Sequence, residues 1–309
     1  ATGGAHMSGA EFVPFSLTPL LIGCLAAVAC ALPGNFLVLR RQALIGDAIS
    51  HVVLPGLVVA VLVTGTVATW PMLIGAAVAA LVAVAMIEGI RRFGRIEPGA
   101  AMGVTFTAMF AAGVLILEMT DTSGVHLDVE HALYGNLESL IWLDATGWGS
   151  LLDPEALRGL PPELFRIALV AVAMAVLFAV YWRPLAISTF DEGFAASLGL
   201  PVTLIGLGLV LAAAVAAVAA FDAVGSIIVI AMFICPPAAA RLMTNRLGAQ
   251  VAWSVAFALA SAILGYVLAG FGPLWLGFEN AVSAAGMIAT VSGVILALAA
   301  MFGPARRPV

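Results

Sequence analysis

The chain has 309 residues, 63% of them hydrophobic and 9% charged, with a mean hydropathy of +1.16. A water-soluble domain carries about 25% charged residues, so this composition excludes one and points to an integral membrane protein. The net charge of −5 comes largely from acids in one long loop, no basic tract suits nucleic acid, and all twelve basic residues are arginine. Without lysine there is no G-x-x-x-x-G-K-[ST] phosphate loop and no Schiff-base chemistry. Any nucleotide energy has to come from another polypeptide.

Residues 1–7, ATGGAHM, lack the basic n-region of a signal peptide and read as a tag remnant. The rest, 8–309, reads as a single transmembrane domain. At about 20 apolar residues per span, apolar runs bounded by turn residues predict helices at 17–39, 43–64, 71–90, 98–120, 163–182, 200–221, 223–240, 249–270 and 281–302. The expected fold is all-α and polytopic, with about eight to nine transmembrane helices. The weakest of these segments is the one around Cys235-Pro236-Pro237. Cys24 and Cys30 stand about 9 Å apart along one helix, beyond the reach of about 7 Å that a disulfide allows. With Cys235 they read as small apolar fillers.

Arginines fall on alternate loops: Arg40 and Arg41; Arg91, Arg92 and Arg95; Arg183; Arg241 and Arg246; Arg306 and Arg307. Short cytoplasmic loops retain positive charge, so this pattern predicts an N-terminus outside and a C-terminus in the cytoplasm. The acidic loop at 121–162, with Asp121, Asp128, Glu130, Glu138, Asp144, Asp153 and Glu155, then lies outside the cytoplasm. A hairpin within 131–150 would alter the helix count without changing that sidedness. His126, Asp128, Glu130 and His131 form a patch there that reads as a solvated loop, and Glu88, Glu118 and Asp222 sit at helix ends, where snorkelling accounts for them.

The second segment carries the densest chemistry, Gly46-Asp47-Ala48-Ile49-Ser50-His51, then Pro55. Asp47 and His51 are four residues apart, one turn on a single helix face. Counted from Arg41, they lie about 9 and 15 Å into a hydrocarbon layer about 30 Å thick. Centring an Asp costs about 2.5–3.5 kcal/mol on insertion scales. A carboxylate and an imidazole suit divalent first-row metals, and Pro55 deprives the His51 carbonyl of its helical partner, offering a third oxygen. One helix still supplies too few ligands for a closed site. The same pair also fits a proton relay in a secondary transporter, or a polar contact that holds helices together. An intramembrane enzyme is disfavoured, since neither H-E-x-x-H nor G-x-S-x-G occurs.

Gly34-Asn35-Phe36-Leu37-Val38-Leu39-Arg40-Arg41, Gly46 to His51 and Leu54-Pro55-Gly56 together resemble the signature of the ABC-type manganese, zinc and iron permeases. Phe190-Asp191 with Ala195 and Leu198-Gly199 is similar to a second family motif. Val224-Gly225 through Pro236-Pro237-Ala238-Ala239-Ala240-Arg241 is similar to a third. The resemblance implies an ABC importer permease fold and no enzymatic activity in this chain, with ATP hydrolysis carried by separate cytoplasmic subunits. It also implies a homodimer or a heterodimer with a related permease, an extracytoplasmic metal-binding protein, and a bacterial inner-membrane location among membrane lipid. The cargo implied is a divalent ion, manganese before zinc or iron, with no permanently bound cofactor. On the matched positions, Asp47 and His51 lie on the metal path, and Ser50, Pro55 and Asn35 support it. Phe190, Asp191, Glu192, Ala195 and Gly199 form the segment that docks on the ATPase. Two departures stand out: the stretch around 142–162, which looks inserted, and Asp222.

Overall fold

The computed structural model describes residues 12–42, 45–65, 69–119, 137–275, 277 and 282–306. Across a hydrocarbon layer every backbone N–H and C=O has to be satisfied within the protein. Long apolar runs therefore become helices, and no strand occurs among the described residues. A π-helical turn, Val13–Leu17, leads into α1, Thr18–Leu39. It is followed by α2, Ile45–Thr64, α3, Thr69–Gly94, and α4, Pro98–Met119. Three short elements come next, the 3-10 turns Leu137–Ser139 and Trp148–Leu152 and helix α5, Pro154–Arg158. Then follow α6, Pro162–Val180, and two short helices, α7, Trp182–Phe190, and α8, Glu192–Ser197.

Val202–Met243 is helical throughout except at Gly225, where φ is 78° and ψ 170°, a conformation that glycine adopts at little cost. The chain reverses around this residue. Gly206 sits beside the Arg40 guanidinium, while the Phe233 carbonyl and the Pro237 ring sit on Gly34. A straight helix would hold residues 206 and 233 about 40 Å apart, whereas Gly34 and Arg40 are separated by about 9 Å along α1. The run is therefore two antiparallel spans, α9, Val202–Phe221, and α10, Ala223–Met243. Two more helices complete the bundle, α11, Leu247–Trp275, and α12, Ala284–Phe302.

All nine expected runs fall on helices. Eight are long and apolar enough to cross a membrane, judged on the described residues, and the other, α2, has 20 residues. The Pro236-Pro237 weak point does not end its helix, which continues to Met243. The Pro237 ring fits because Gly34 opposite has no side chain: a Cβ there would stand 2.9 Å from Pro237 Cγ. Within 137–158 the acidic loop folds as short helical turns, not as a hairpin. The rest of that loop, including His126, Asp128, Glu130 and His131, lies outside the described residues.

The core centres on α1 and the α9–α10 pair, with Ile22, Phe36, Leu37, Met232 and Phe233 fully buried. The rings of Phe36 and Phe178 stack at 5.3 Å, and Trp182 meets Phe36 edge-on at 6.0 Å, joining α1 to α6 and α7. Helices α2, α3 and α4 form a layer against this centre. Glycines set its spacing: Gly56 on α2 and Gly75 on α3 face each other so closely that a Cβ on either would meet the other's carbonyl oxygen. Gly113 on α4 receives Pro55 in the same way: a Cβ there would stand 2.8 Å from Pro55 Cβ.

Most arginines of the helix-joining loops sort to one end of the bundle. Arg40 and Arg91 share a cavity with Glu192, Trp182 approaches Gly248, and Gly303 abuts Leu242. Arg166 lines a groove with Ala223 near the chain reversal, at the opposite end.

Candidate functional site

Asp47, Ser50 and His51 lie on α2, and their side chains lie outside the described residues. Several neighbouring positions are described. Ala48 and Val52 are buried, and Gly46 lies against the ring of Phe233, where a Cβ would stand 2.8 Å from Cγ. Gly34 abuts the backbone of the same residue. The first and third motifs, nearly 200 residues apart in the chain, are thus folded onto one another at Phe233. Pro55, one turn after His51 in the sequence, meets α4 at Gly113.

Asn35 is fully buried. Its Nδ2 donates to the Ala31 carbonyl at 2.7 Å, and its Oδ1 accepts from Gln250 Nε2 at 3.4 Å, which joins α1 to α11. Both Asn35 amide atoms are thus partnered, as low-dielectric interiors favour, whereas the buried Oε1 of Gln250 has no hydrogen-bond partner among the described residues. Among the described residues no three His, Cys, Asp or Glu side chains gather as metal ligands. Glu88 is within α3 and accepts from Arg91 Nη1 at 2.9 Å, and Glu118 is in the last turn of α4. Asp222 falls at the α9–α10 reversal, its side chain outside the described residues.

The second motif builds a compact cap at the arginine-rich end. Asp191 is the N-cap of α8, its Oδ1 accepting from the Phe194 N–H at 2.8 Å. Gly199, at φ 76°, ends the helix. Its N–H donates to the Ala196 carbonyl at 3.0 Å, and that of Leu200 donates to Ala195 at 3.1 Å, the paired bonds of a Schellman motif. Ala195 is fully buried and anchors the inner face, while Phe190, Glu192, Phe194 and Leu198 are exposed.

A residue read from the sequence mainly as a charge marker holds this cap in place. Arg40 Nη2 donates to Ser188 Oγ at 2.8 Å and Nε to Thr189 Oγ1 at 3.1 Å. Burial pushes the Arg40 pKa below its ordinary value, and the Glu192 carboxylate works the other way by favouring the charged form. Arg40, Glu88, Arg91, Glu192 and Thr203 line an open cavity of about 350 Å³. The chain between Arg40 and α2 is short, so the segment bearing Phe190 to Gly199 is tied directly to the end of α1 that feeds α2. Partners separated by nearly 150 residues leave no local signal in the sequence.

The turn after α1 is a Schellman motif of the same kind, in which Gln42 donates to Leu37 and Arg41 to Val38. Arg41 takes the left-handed conformation, φ 58°, where glycine is usual.

Comparison with known proteins finds relatives along most of the chain. The chain is 39% identical over 283 residues to the manganese transport system membrane protein MntD of Bacillus subtilis, covering 92% of this chain and 90% of that relative. It is 37% identical over 285 residues to the zinc transport system membrane protein TroD of Treponema pallidum, covering 92% and 73%. Among solved structures, PsaBC from Streptococcus pneumoniae in complex with Fab matches with a TM-score of 0.74 at 26% identity, over 95% of this chain and 93% of that one. The ABC 3 transport family matches residues 13–144 and 158–303, which together span all three motifs, and the chain belongs to that family.

Proposed function

We propose that the chain is the membrane-spanning permease subunit of an ATP-driven importer of a divalent metal ion, manganese first, with Asp47 and His51 as transient ligands. The observation that carries this reading is the identity to a manganese transport system membrane protein across 92% of the chain. A zinc relative at 37% keeps zinc among the cargoes to be tested. A carboxylate and a neutral imidazole bind Mn, Fe(II) or Zn, and a second permease copy across a two-fold axis supplies the ligands that one helix lacks. Ser50, Pro55 and the freed His51 carbonyl support that path, and Asn35 steadies α1 beside it.

The arginine-rich end faces the cytoplasm, as retained positive charge requires. There the exposed face of Phe190 to Gly199 docks on ATPase subunits, and Arg40 links that face to α2. At the opposite end an extracytoplasmic protein delivers the ion. The test is uptake of radiolabelled manganese by cells carrying Asp47→Ala or His51→Ala at wild-type protein level. Loss of uptake is expected, with competition by zinc and iron ranking the cargoes. Undiminished uptake removes both residues from the mechanism. Flux driven by a proton gradient in vesicles without any ATPase would replace the importer with a secondary transporter.

A further inference from the structure

The family match leaves out 145–157, and this stretch has an exposed apolar face. We infer that the short-helix segment around Trp148–Leu152 is a membrane-interface anchor that lays Leu143, Trp148 and Leu152 into the lipid headgroup region. Leu143, just before the unmatched stretch, and Trp148 and Leu152 within it are 73%, 56% and 89% exposed, an unusual amount of apolar surface for so short a segment if water covered it.

The segment is held against the start of the first span. Trp142 is buried, its N–H donates to the Pro14 carbonyl at 2.8 Å, and its Nε1 donates to the Ala156 carbonyl at 2.8 Å. Val13, Ala145 and Ala156 close around it. The ring of Phe12 stacks on Trp148 with centroids 6.2 Å apart. Val13 and Pro14 are in the first turn of the span Val13–Leu39 and Phe12 immediately precedes it, while the segment's other end runs into the span Pro162–Val180.

Exposed residues of those two spans, Phe15 on the first and Phe165 and Leu169 on the second, are the side chains that lipid has to cover. The segment that carries Trp148 packs on the start of the first of these spans and leads within a few residues into the second, which favours lipid over a protein partner. Its polar residues suit the boundary. Asp153 caps α5 through a bond to the Glu155 N–H, and Glu155 and Arg158 are exposed beyond it. Tryptophan at the rim of a span is the residue that bilayer interfaces select.

The test uses the full permease with its partner subunits, reconstituted in phosphatidylcholine–phosphatidylglycerol vesicles. Cys24, Cys30 and Cys235 are replaced by alanine, and Leu152→Cys, Leu143→Cys or Glu155→Cys is labelled with an environment-sensitive nitrobenzoxadiazole dye. With nitroxide lipid placed at an interfacial depth of about 5–10 Å, the dye at 152 and 143 should lose about half its emission, and the dye at 155 little. Emission at 152 that the nitroxide lipid leaves unchanged overturns the inference, whether the dye stays in water or is shielded only when the purified extracytoplasmic binding protein is added. A second readout avoids the label. Trp148→Phe should remove a component of tryptophan emission that the same lipid quenches, and equal quenched fractions in both proteins overturn the inference too.

Discussion

Where α1, α2 and α10 meet, Gly34 and Gly46 make room for Phe233. At the other end of the bundle, one large side chain, Trp142, fills the space between the start of α1 and α5. The first junction depends on side chains that are missing and the second on one that is present. Motif residues concentrate at the first, and the second lies beside the stretch outside the family match. Close backbone approach leaves few acceptable residues, so it marks the sequence strongly. A satellite cluster built on one anchor can be added to a bundle without altering the spans.

That contrast can be broken most sharply at Trp142. Trp142→Ala should cost about 3–5 kcal/mol locally, read as lost hydrogen-exchange protection over 137–160, while the spans and metal uptake persist. If protection in α1 and α10 collapsed as well, the cluster would be part of the main core and the comparison would fail.

Next in size, Gly34→Ala should cost about 1–3 kcal/mol or more, because the new methyl meets the Phe233 backbone, which cannot swing aside. Thermal unfolding in detergent measures it. Gly293→Ala is the matched control: a Cβ there meets nothing within 4 Å, and the change should stabilise α12 by up to about 1 kcal/mol. Equal effects of the two substitutions would show that helix propensity, and not close approach, explains the glycines.

The smallest expected effect is at the cap of α8. Asp191→Ala should cost about 0.5–2 kcal/mol and weaken co-purification of the ATPase, with the spans unchanged. Asp191→Asn should restore most of the stability, since its side-chain oxygen still accepts from Phe194. Unaltered association in the alanine variant would separate the cap from docking.

Much of the architecture was legible because apolar runs of span length have one stable outcome in a bilayer. The α9–α10 boundary was placed within three residues of Gly225, where the helical conformation breaks. The continuation of α10 through Pro236 and Pro237 was not legible, because the room for the ring is supplied by Gly34, far away in the chain. Arg40 was legible as a positive charge, but its hydrogen bonds to Ser188 and Thr189 depend on long-range packing. The folding of residues 137–158 escaped because 3-10 turns and a five-residue helix carry no apolar period. At the candidate metal path, the Asp47, His51 and Pro55 spacing was read directly from the sequence, and what was added is the packing of Gly46 on Phe233 and Pro55 on Gly113.

The meeting of Gly46 with Phe233 also has a consequence for biogenesis. Residue 46 emerges from the ribosome well before residue 233, and at about 5–20 residues per second the wait is roughly 10–40 s. During that interval α1 and α2 are already made, while the helix that fills their glycine-lined surface does not yet exist. The nascent chain therefore has to hold an acidic residue and a histidine in or near the bilayer without its final neighbours. Of the helices that pack on α2, α3 and α4, through Gly75 and Gly113, are the ones synthesised soon enough to meet it in that interval.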